Sequence, residues 1–600
     1  MDAAERPCQP TAEATIARSH RSLELLRKAT KQADTVLLLL IVVIASLPVE
    51  KEGPAIQRVL PYLPACIWAV ALLAAAHVQL GRRNPSLEVR DSSSDNAFFA
   101  TVIGPLIAYL FLHAHNWQPE DVWRTYGFAA DLVAFGSLQA LLDLGTDMDM
   151  WAHTMQVVSF TVLAGTKLAL DMLGAVKALE ALPVVMLYLT VQKLTLFGCF
   201  QPGACGRNFS TAEGLFWAQA AGVACAAVCQ GIITGFLDWT AMQVFAGCLI
   251  VFELFFLALT KMLHRYLRDV KGNPAACFAP LISMLVTLVA FLAWFCTGSL
   301  AWTKGTHTQT PLEWFREELI PDHMVLLGVQ WPMLMILGIG AIDGLARSSP
   351  ALLGASGDPS TRQQQDSRAT GISPRAVKVL FRKAFHALAC ALFLPPLLQG
   401  KQAFLAFSML VAALLLIVLE ACRAYRIPLL ASHLDSFMGR YLDKREDVGR
   451  GDLVLTHLYL LIGCAVPLWL ELDIRHSLQH AVPVPVLMRQ ASGILLVGVG
   501  DACSASFGIC FGRTRWPLSH RTLEGSLAFF VGVCFAASIL AAVAEGTTLP
   551  RFDADSLRWQ ASFIGAAFLT SLFEVYTSSI DNLTLPLVFL PAVWTLSGIR

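Results

Sequence analysis

Between Gly500 and Phe530 the chain reads GDACSASFGICFGRTRWPLSHRTLEGSLAFF, a set of side chains suited to holding a polyphosphate. Arg513, Arg515 and Arg521 fall in one short loop with Trp516, Pro517, Ser519 and His520. Guanidinium groups offer several directed donors to phosphate oxygens. Gly508 and Gly512 precede the loop and Gly525 follows it, and glycine lets backbone N–H groups come close to an anion. A helix starting at about Thr522, with Glu524 and Gly525 in its first turn, adds a favourable dipole, with Thr522 as its cap. Asp501 sits before the loop in a run of small residues behind Gly498 and Gly500. An unpaired carboxylate there wants a metal, a cation or a proton, and Asp501 could hold Mg²⁺ against bound phosphates. Trp516 has two open roles, stacking on a base or anchoring the loop at the interface.

Three arginines alone would be no more than a basic loop at a membrane face. The intramembrane Asp501, the flanking glycines and the Thr-Leu-Glu-Gly turn make the set far more specific. Other nucleotide signatures are missing. No G-x-x-x-x-G-K-[ST] occurs, Gly498-x-Gly500 lacks the third glycine of a dinucleotide fingerprint, and H-E-x-x-H is absent. The motifs therefore exclude a P-loop ATPase and a zincin.

The elements that position this loop belong to a membrane protein. Of 600 residues, 56% are hydrophobic and only 15% charged, where a soluble domain carries about 25% charged residues. The mean hydropathy of +0.58 agrees. Lys+Arg and Asp+Glu both number 44, so no bulk electrostatic partner such as nucleic acid is suggested. A helix needs about 20 apolar residues to span a bilayer. Such runs predict spans at 33–49, 59–80, 97–115, 125–143, 153–174, 178–198, 213–236, 240–262, 275–303, 324–346, 379–399, 402–422, 453–472, 485–511, 526–548, 558–579 and 583–598. Several are short or interrupted. The expected fold class is all-α and polytopic, with about 15 spanning helices in a range of 13–17.

Basic residues mark cytoplasmic loops. They cluster after the second, eighth, tenth, twelfth and fourteenth runs, which share one parity, so the 512–522 loop is expected on the cytoplasmic side. The expected organisation is a polar cytoplasmic segment over 1–34, a membrane region over 35–347, a disordered cytoplasmic linker over 348–377 rich in Ser, Gly, Gln and Arg, and a C-terminal catalytic membrane region over 378–600 carrying its loop at 500–526. Residues 427–441 could form an amphipathic helix on the membrane surface. No cleavable signal peptide is expected. Most of the 15 cysteines read as packing residues, while Cys199 and Cys205 could pair if their loop is lumenal.

Ionisable groups inside spans are expensive and are functional candidates by default. Lys167 and Asp171 read as an ion pair on one helix face. Asp131, Glu253 and Asp343 look isolated. Arg382, Lys383 and His386 share one face at the start of a span, where His386 reads as a packing or interface residue. Glu420 and Arg423, three apart, read as a local ion pair.

On these residues the chain resembles the CTP-binding segment of the dolichol kinase family. The family pattern of Gly-Asp, small residues, Gly, Gly, Trp-Pro, two basic residues, Thr-x-Glu-Gly falls on Gly500, Asp501, Gly508, Gly512, Trp516, Pro517, His520, Arg521, Thr522, Glu524 and Gly525 without a gap. A closing motif over 572–587 supplies Glu574, Asp581, Asn582 and Pro586. The stretch 381–470 is also similar, through Arg382, Lys383, His386, Glu420, Arg423, Arg426, Asp443, Thr456, His457 and Tyr459. The chain departs from the pattern at Leu518, where glycine is usual, and at His520, one of a usual lysine pair. Before residue 380 the likeness is architectural.

The resemblance implies an endoplasmic-reticulum membrane enzyme that moves the γ-phosphoryl group of CTP to the terminal hydroxyl of dolichol, making the lipid carrier used in protein glycosylation. It implies Mg²⁺ or another divalent cation at Asp501, the loop arginines as phosphate clamp, and Asp501, Glu574 or Asp581 as general base. The alcohol would enter sideways from lipid. Rival readings are a phosphatidate cytidylyltransferase, whose downstream Lys-Asp, His-Gly-Gly and Asp-Arg-x-Asp elements are absent, a phytol or short-polyprenol kinase, and a transporter, for which no paired repeat is seen. The sequence does not fix the oligomeric state.

Overall fold

A computed structural model describes residues 187–195, 213–214, 217–219, 221–222, 241–270, 273–297, 310–316, 325–348, 374–439, 453–472, 482–517, 519–546, 554–577 and 581–597. The spans expected before 178, the pairs Lys167–Asp171 and Cys199–Cys205, Asp131, Asp443 and most of the 348–377 linker lie outside these residues.

The described chain is helical. We number α1 Ala241–Asp269, α2 Ala279–Thr297, α3 Val325–Ser348, α4 Pro374–Leu398, α5 Gln402–Ala424, α6 Leu430–Gly439, α7 Thr456–Glu471, α8 Val484–Gly493, α9 Asp501–Phe511, α10 Leu523–Glu545, α11 Ala554–Tyr576 and α12 Asp581–Ser597. Six helical stretches among the described residues are long and apolar enough to cross a membrane, and Thr456–Glu471 and Asp581–Leu590 are shorter apolar helices. The expected spans from residue 240 onward therefore appear as helices, though the total of about 15 lies beyond what these residues test. Within the stretch 427–441, expected as an amphipathic helix, the helix observed is the shorter α6.

Lipid tails are as apolar as leucine, so burial from water cannot drive these helices together, and close packing must. The packing residues are small. A Cβ at Gly463 of α7 would meet the Asn582 backbone of α12, and one at Gly493 of α8 would meet the α7 carbonyls of Gly463 and Cys464. One at Gly500 would meet Phe529 and Val533 of α10. These approaches draw α7, α10 and α12 around α8 and α9. The residues between, Ile494, Leu495, Leu496 and Val497, are wholly buried. Opposite faces of α1, α2, α3 and α10 expose large apolar side chains such as Leu254, Leu285, Ile336 and Phe535, as lipid-facing surfaces should.

Candidate active site

Helices α8 and α9 are joined by a π-helical turn, Ile494–Gly500, into one run from Val484 to Phe511. The Asp501 N–H bonds the Leu496 carbonyl across the wider turn. Single π turns inside α-helices re-aim the residues that follow them. Here the residue that follows is Asp501, and α4 and α10 both pack against the turn.

Asp501 is buried and paired. Lys383 of α4 donates its ammonium to Asp501 Oδ2. His386, one turn further along α4, bonds the Val497 carbonyl through Nδ1 at 2.8 Å and lies 3.5 Å from the same Asp501 oxygen. The carboxylate expected to be unpaired thus already has a cation, and His386, read as a packing or interface residue yet among the positions shared with the family, lies beside it. The sequence hid both because the partners are more than a hundred positions apart. Arg382 lies close enough to His386 and His457 to act on both electrostatically.

The 512–522 loop is a tight turn built on its own backbone. Arg515 and Thr522 form an antiparallel bridge, Trp516 N–H bonds the Arg521 carbonyl at 3.1 Å, and Leu523 N–H bonds the Thr514 carbonyl at 2.8 Å. Thr522 caps α10 by accepting from Gly525 N–H at 3.2 Å. Glu524 reaches back to accept from Thr514 N–H at 3.0 Å. A Cβ at Gly508, Gly512 or Gly525 would meet the Thr522 side chain, so these glycines let α9 and α10 close on the turn. Trp516 donates its indole N–H to Ser526 at 3.1 Å, which favours the anchoring role. Ser519 donates to the Val575 carbonyl at 2.5 Å and fastens the loop to α11. Arg513, Arg515, Pro517 and His520 face outward.

Arg521 points inward. Its Nη1 lies 3.1 Å from Glu574 Oε1, and its Nη2 donates to Asp581. Glu574 is the wholly buried end of α11, and Asp581 opens α12. Asp581 first and Glu574 second hold the guanidinium's proton more tightly than usual. Ser504, three residues after Asp501, donates to Glu574 at 2.9 Å. That spacing puts Ser504 on the Asp501 face of α9, the signal by which sequence reading could have found it. The fold therefore brings Asp501, Glu574, Asp581, Lys383, His386 and Arg521 beneath one loop.

Glu420 and Arg423 do something else. Arg423 bonds Glu420 at 2.9 and 2.6 Å and Asp435 of α6 at 3.0 Å, while Glu420 accepts from Val454 N–H at 2.5 Å. The expected local pair is a brace joining α5, α6 and the approach to α7. Asp343 is not isolated, because Arg347 one turn on bonds it at 2.8 Å. Sequence reading also missed Arg489 and Glu471, a buried pair at 2.9 Å between α8 and α7.

Among the described residues no trio of His, Cys, Asp and Glu gathers to hold a metal on protein ligands alone. Mg²⁺ does not need one, since it takes one or two carboxylates and leaves the rest to phosphates and water. Three carboxylates here face two partly buried cations, Lys383 and Arg521. A polyphosphate would add more negative charge, so a divalent cation arriving with it fits this set of donors.

No family model matches the chain, and no solved structure matches it significantly. Among curated proteins it is 24% identical to the dolichol kinase of Mus musculus over 577 residues, 90% of this chain and 95% of that protein. It is 32% identical to the dolichol kinase of Homo sapiens over 219 residues, 35% of this chain and only 37% of the relative's length. With a dolichol kinase of Arabidopsis thaliana it shares 27% identity over 358 residues, 57% of this chain and 54% of that protein.

Proposed function

We infer that this chain is a member of the dolichol kinase family and phosphorylates a membrane-embedded lipid alcohol. The observation that carries this reading is the gathering of Asp501, Glu574, Asp581, Lys383 and Arg521 beneath a glycine-flanked basic loop, inside a bundle whose outer faces suit lipid. The likeness to the mouse enzyme along nearly the whole of both chains supports it.

The donor is CTP and the acceptor is the terminal hydroxyl of dolichol. The bond between the γ-phosphorus and the β–γ bridging oxygen breaks, a bond from that phosphorus to the lipid oxygen forms, and CDP leaves. Phosphoryl transfer depends mainly on positioning and charge neutralisation. Arg513 and Arg515, exposed on the loop, bind the phosphate chain from the water side. Thr522 and Glu524 fix the loop's shape, and Trp516 with Ser519 clamps it to α10 and α11. Asp501 would hold Mg²⁺, which when bound neutralises phosphate charge. The hydroxyl proton leaves to one of Asp501, Glu574 and Asp581. On this reading the nucleotide side faces the cytoplasm, which the basic loops of one parity support, and the membrane is that of the endoplasmic reticulum, as the resemblance to the family implies.

Membranes carrying the protein, given dolichol, Mg²⁺ and CTP labelled at the γ-phosphate, are expected to label the lipid and release CDP. Pyrophosphate release with CMP on a lipid would point to cytidylyltransfer instead. Absence of turnover with any lipid alcohol or phosphatidate would sink the enzyme reading.

A further inference from the structure

The geometry points to Lys383 as the catalytic residue that touches the transferring γ-phosphoryl group. This assignment rests on the kinase reading and names which cation meets the reacting atoms.

The loop's basic residues divide by position. Arg513, Arg515 and His520 are exposed, where water screens them. Arg521 points inward, but two carboxylates, Glu574 and Asp581, already meet its single charge, and its side chain is 32% exposed. Lys383 differs from all of these. It lies about one turn into the apolar stretch of α4, with its side chain only 13% exposed. An ammonium has three donors. Among the described residues the Lys383 ammonium makes one hydrogen bond, to Asp501. A charged group so nearly buried with donors to spare is costly unless a ligand or water takes them.

The position also suits the two substrates. CTP arrives from the loop side, and a lipid hydroxyl arrives from the bilayer. Lys383 projects from a membrane helix to the Asp501 carboxylate, which lies on the same α9 that leads into the loop. Its neighbour His386 has its Nδ1 engaged by the Val497 carbonyl. A phosphoryl group leaving CDP for a lipid oxygen at this level would meet the spare Lys383 donors.

The test separates contact with the γ-phosphoryl group from support of the fold. Wild type and Lys383→Met are compared in membranes for kcat with CTP and for competitive inhibition by CDP, which lacks that group. The expected result is a kcat lower by about 100-fold or more, with the CDP inhibition constant within about twofold of wild type. A kcat within about threefold of wild type would overturn the assignment. So would CDP binding that weakens in step with kcat, because a collapsed site loses both. If Lys383→Met does not accumulate, Lys383→Arg is read in its place, with the same CDP constant and a kcat reduced about tenfold expected. A wild-type protein that labels no lipid alcohol overturns the kinase reading itself, whereas an active wild type with an indifferent Lys383 overturns this assignment alone.

Discussion

Arg521 of the loop reaches Glu574 at the buried end of α11, with Nη1 3.1 Å from Oε1. The two residues come from separate sequence motifs, and their pairing joins those motifs into one site. Glu574 also accepts from Ser504 on the Asp501 helix. Glu574→Gln keeps an acceptor for Ser504 but removes the charge that holds Arg521. A hydrogen bond to a charged group is worth about 1.5–3 kcal/mol. Transfer to the lipid is therefore expected to fall about 10- to 100-fold, read from label incorporation at equal protein level. Unchanged activity would mean that Asp581 alone positions Arg521.

Asp501→Asn is expected to abolish transfer and also to weaken the fold. Removing one partner of a buried ion pair leaves the other charge uncompensated, at about 3–5 kcal/mol. Detergent-solubilised protein should melt earlier than wild type. Asp501→Asn with wild-type melting and wild-type activity would contradict both roles.

Chelation offers a separate check on the metal. Three carboxylates against two partly buried cations leave the site short of positive charge for a phosphate chain. EDTA is expected to stop transfer and added Mg²⁺ to restore it. Full activity in excess EDTA would show that Lys383 and Arg521 suffice.

The Arg489–Glu471 pair makes a prediction about stability alone. Glu471→Gln or Arg489→Met singly should cost about 3–5 kcal/mol, while an apolar replacement of both should cost far less. Thermal melts of the three variants decide it. Equal losses in single and double variants would show that packing, rather than charge, is what the pair supplies.

Gly463→Ala is expected to be among the worst single-methyl additions in the C-terminal bundle. The new Cβ would occupy the place of the Asn582 carbonyl, and backbone cannot swing away as a flexible side chain can. Overpacking of this kind costs about 1–3 kcal/mol or more. Gly340→Ala, which would meet nothing, is the control. Equal melting of the two would refute the close α7–α12 contact.

Much was legible in the sequence because it depends on local physics. Apolar runs fix where helices cross lipid, so α4, α5 and the run from Val484 to Phe511 fall close to their expected limits. The glycine-flanked basic loop, the Thr522 cap and the placement of Glu524 follow from residue types at short spacing. What only the tertiary structure decided are the long-range pairings. Lys383 meets Asp501 from 118 positions away, and Arg521 meets Asp581 from 60. The π turn before Asp501 and the indole bond of Trp516 were equally hidden. A charge in a sequence does not name its partner. In lipid, backbone satisfaction makes each helix a local decision, whereas the fit of small residues between helices, which no single segment encodes, chooses which faces meet.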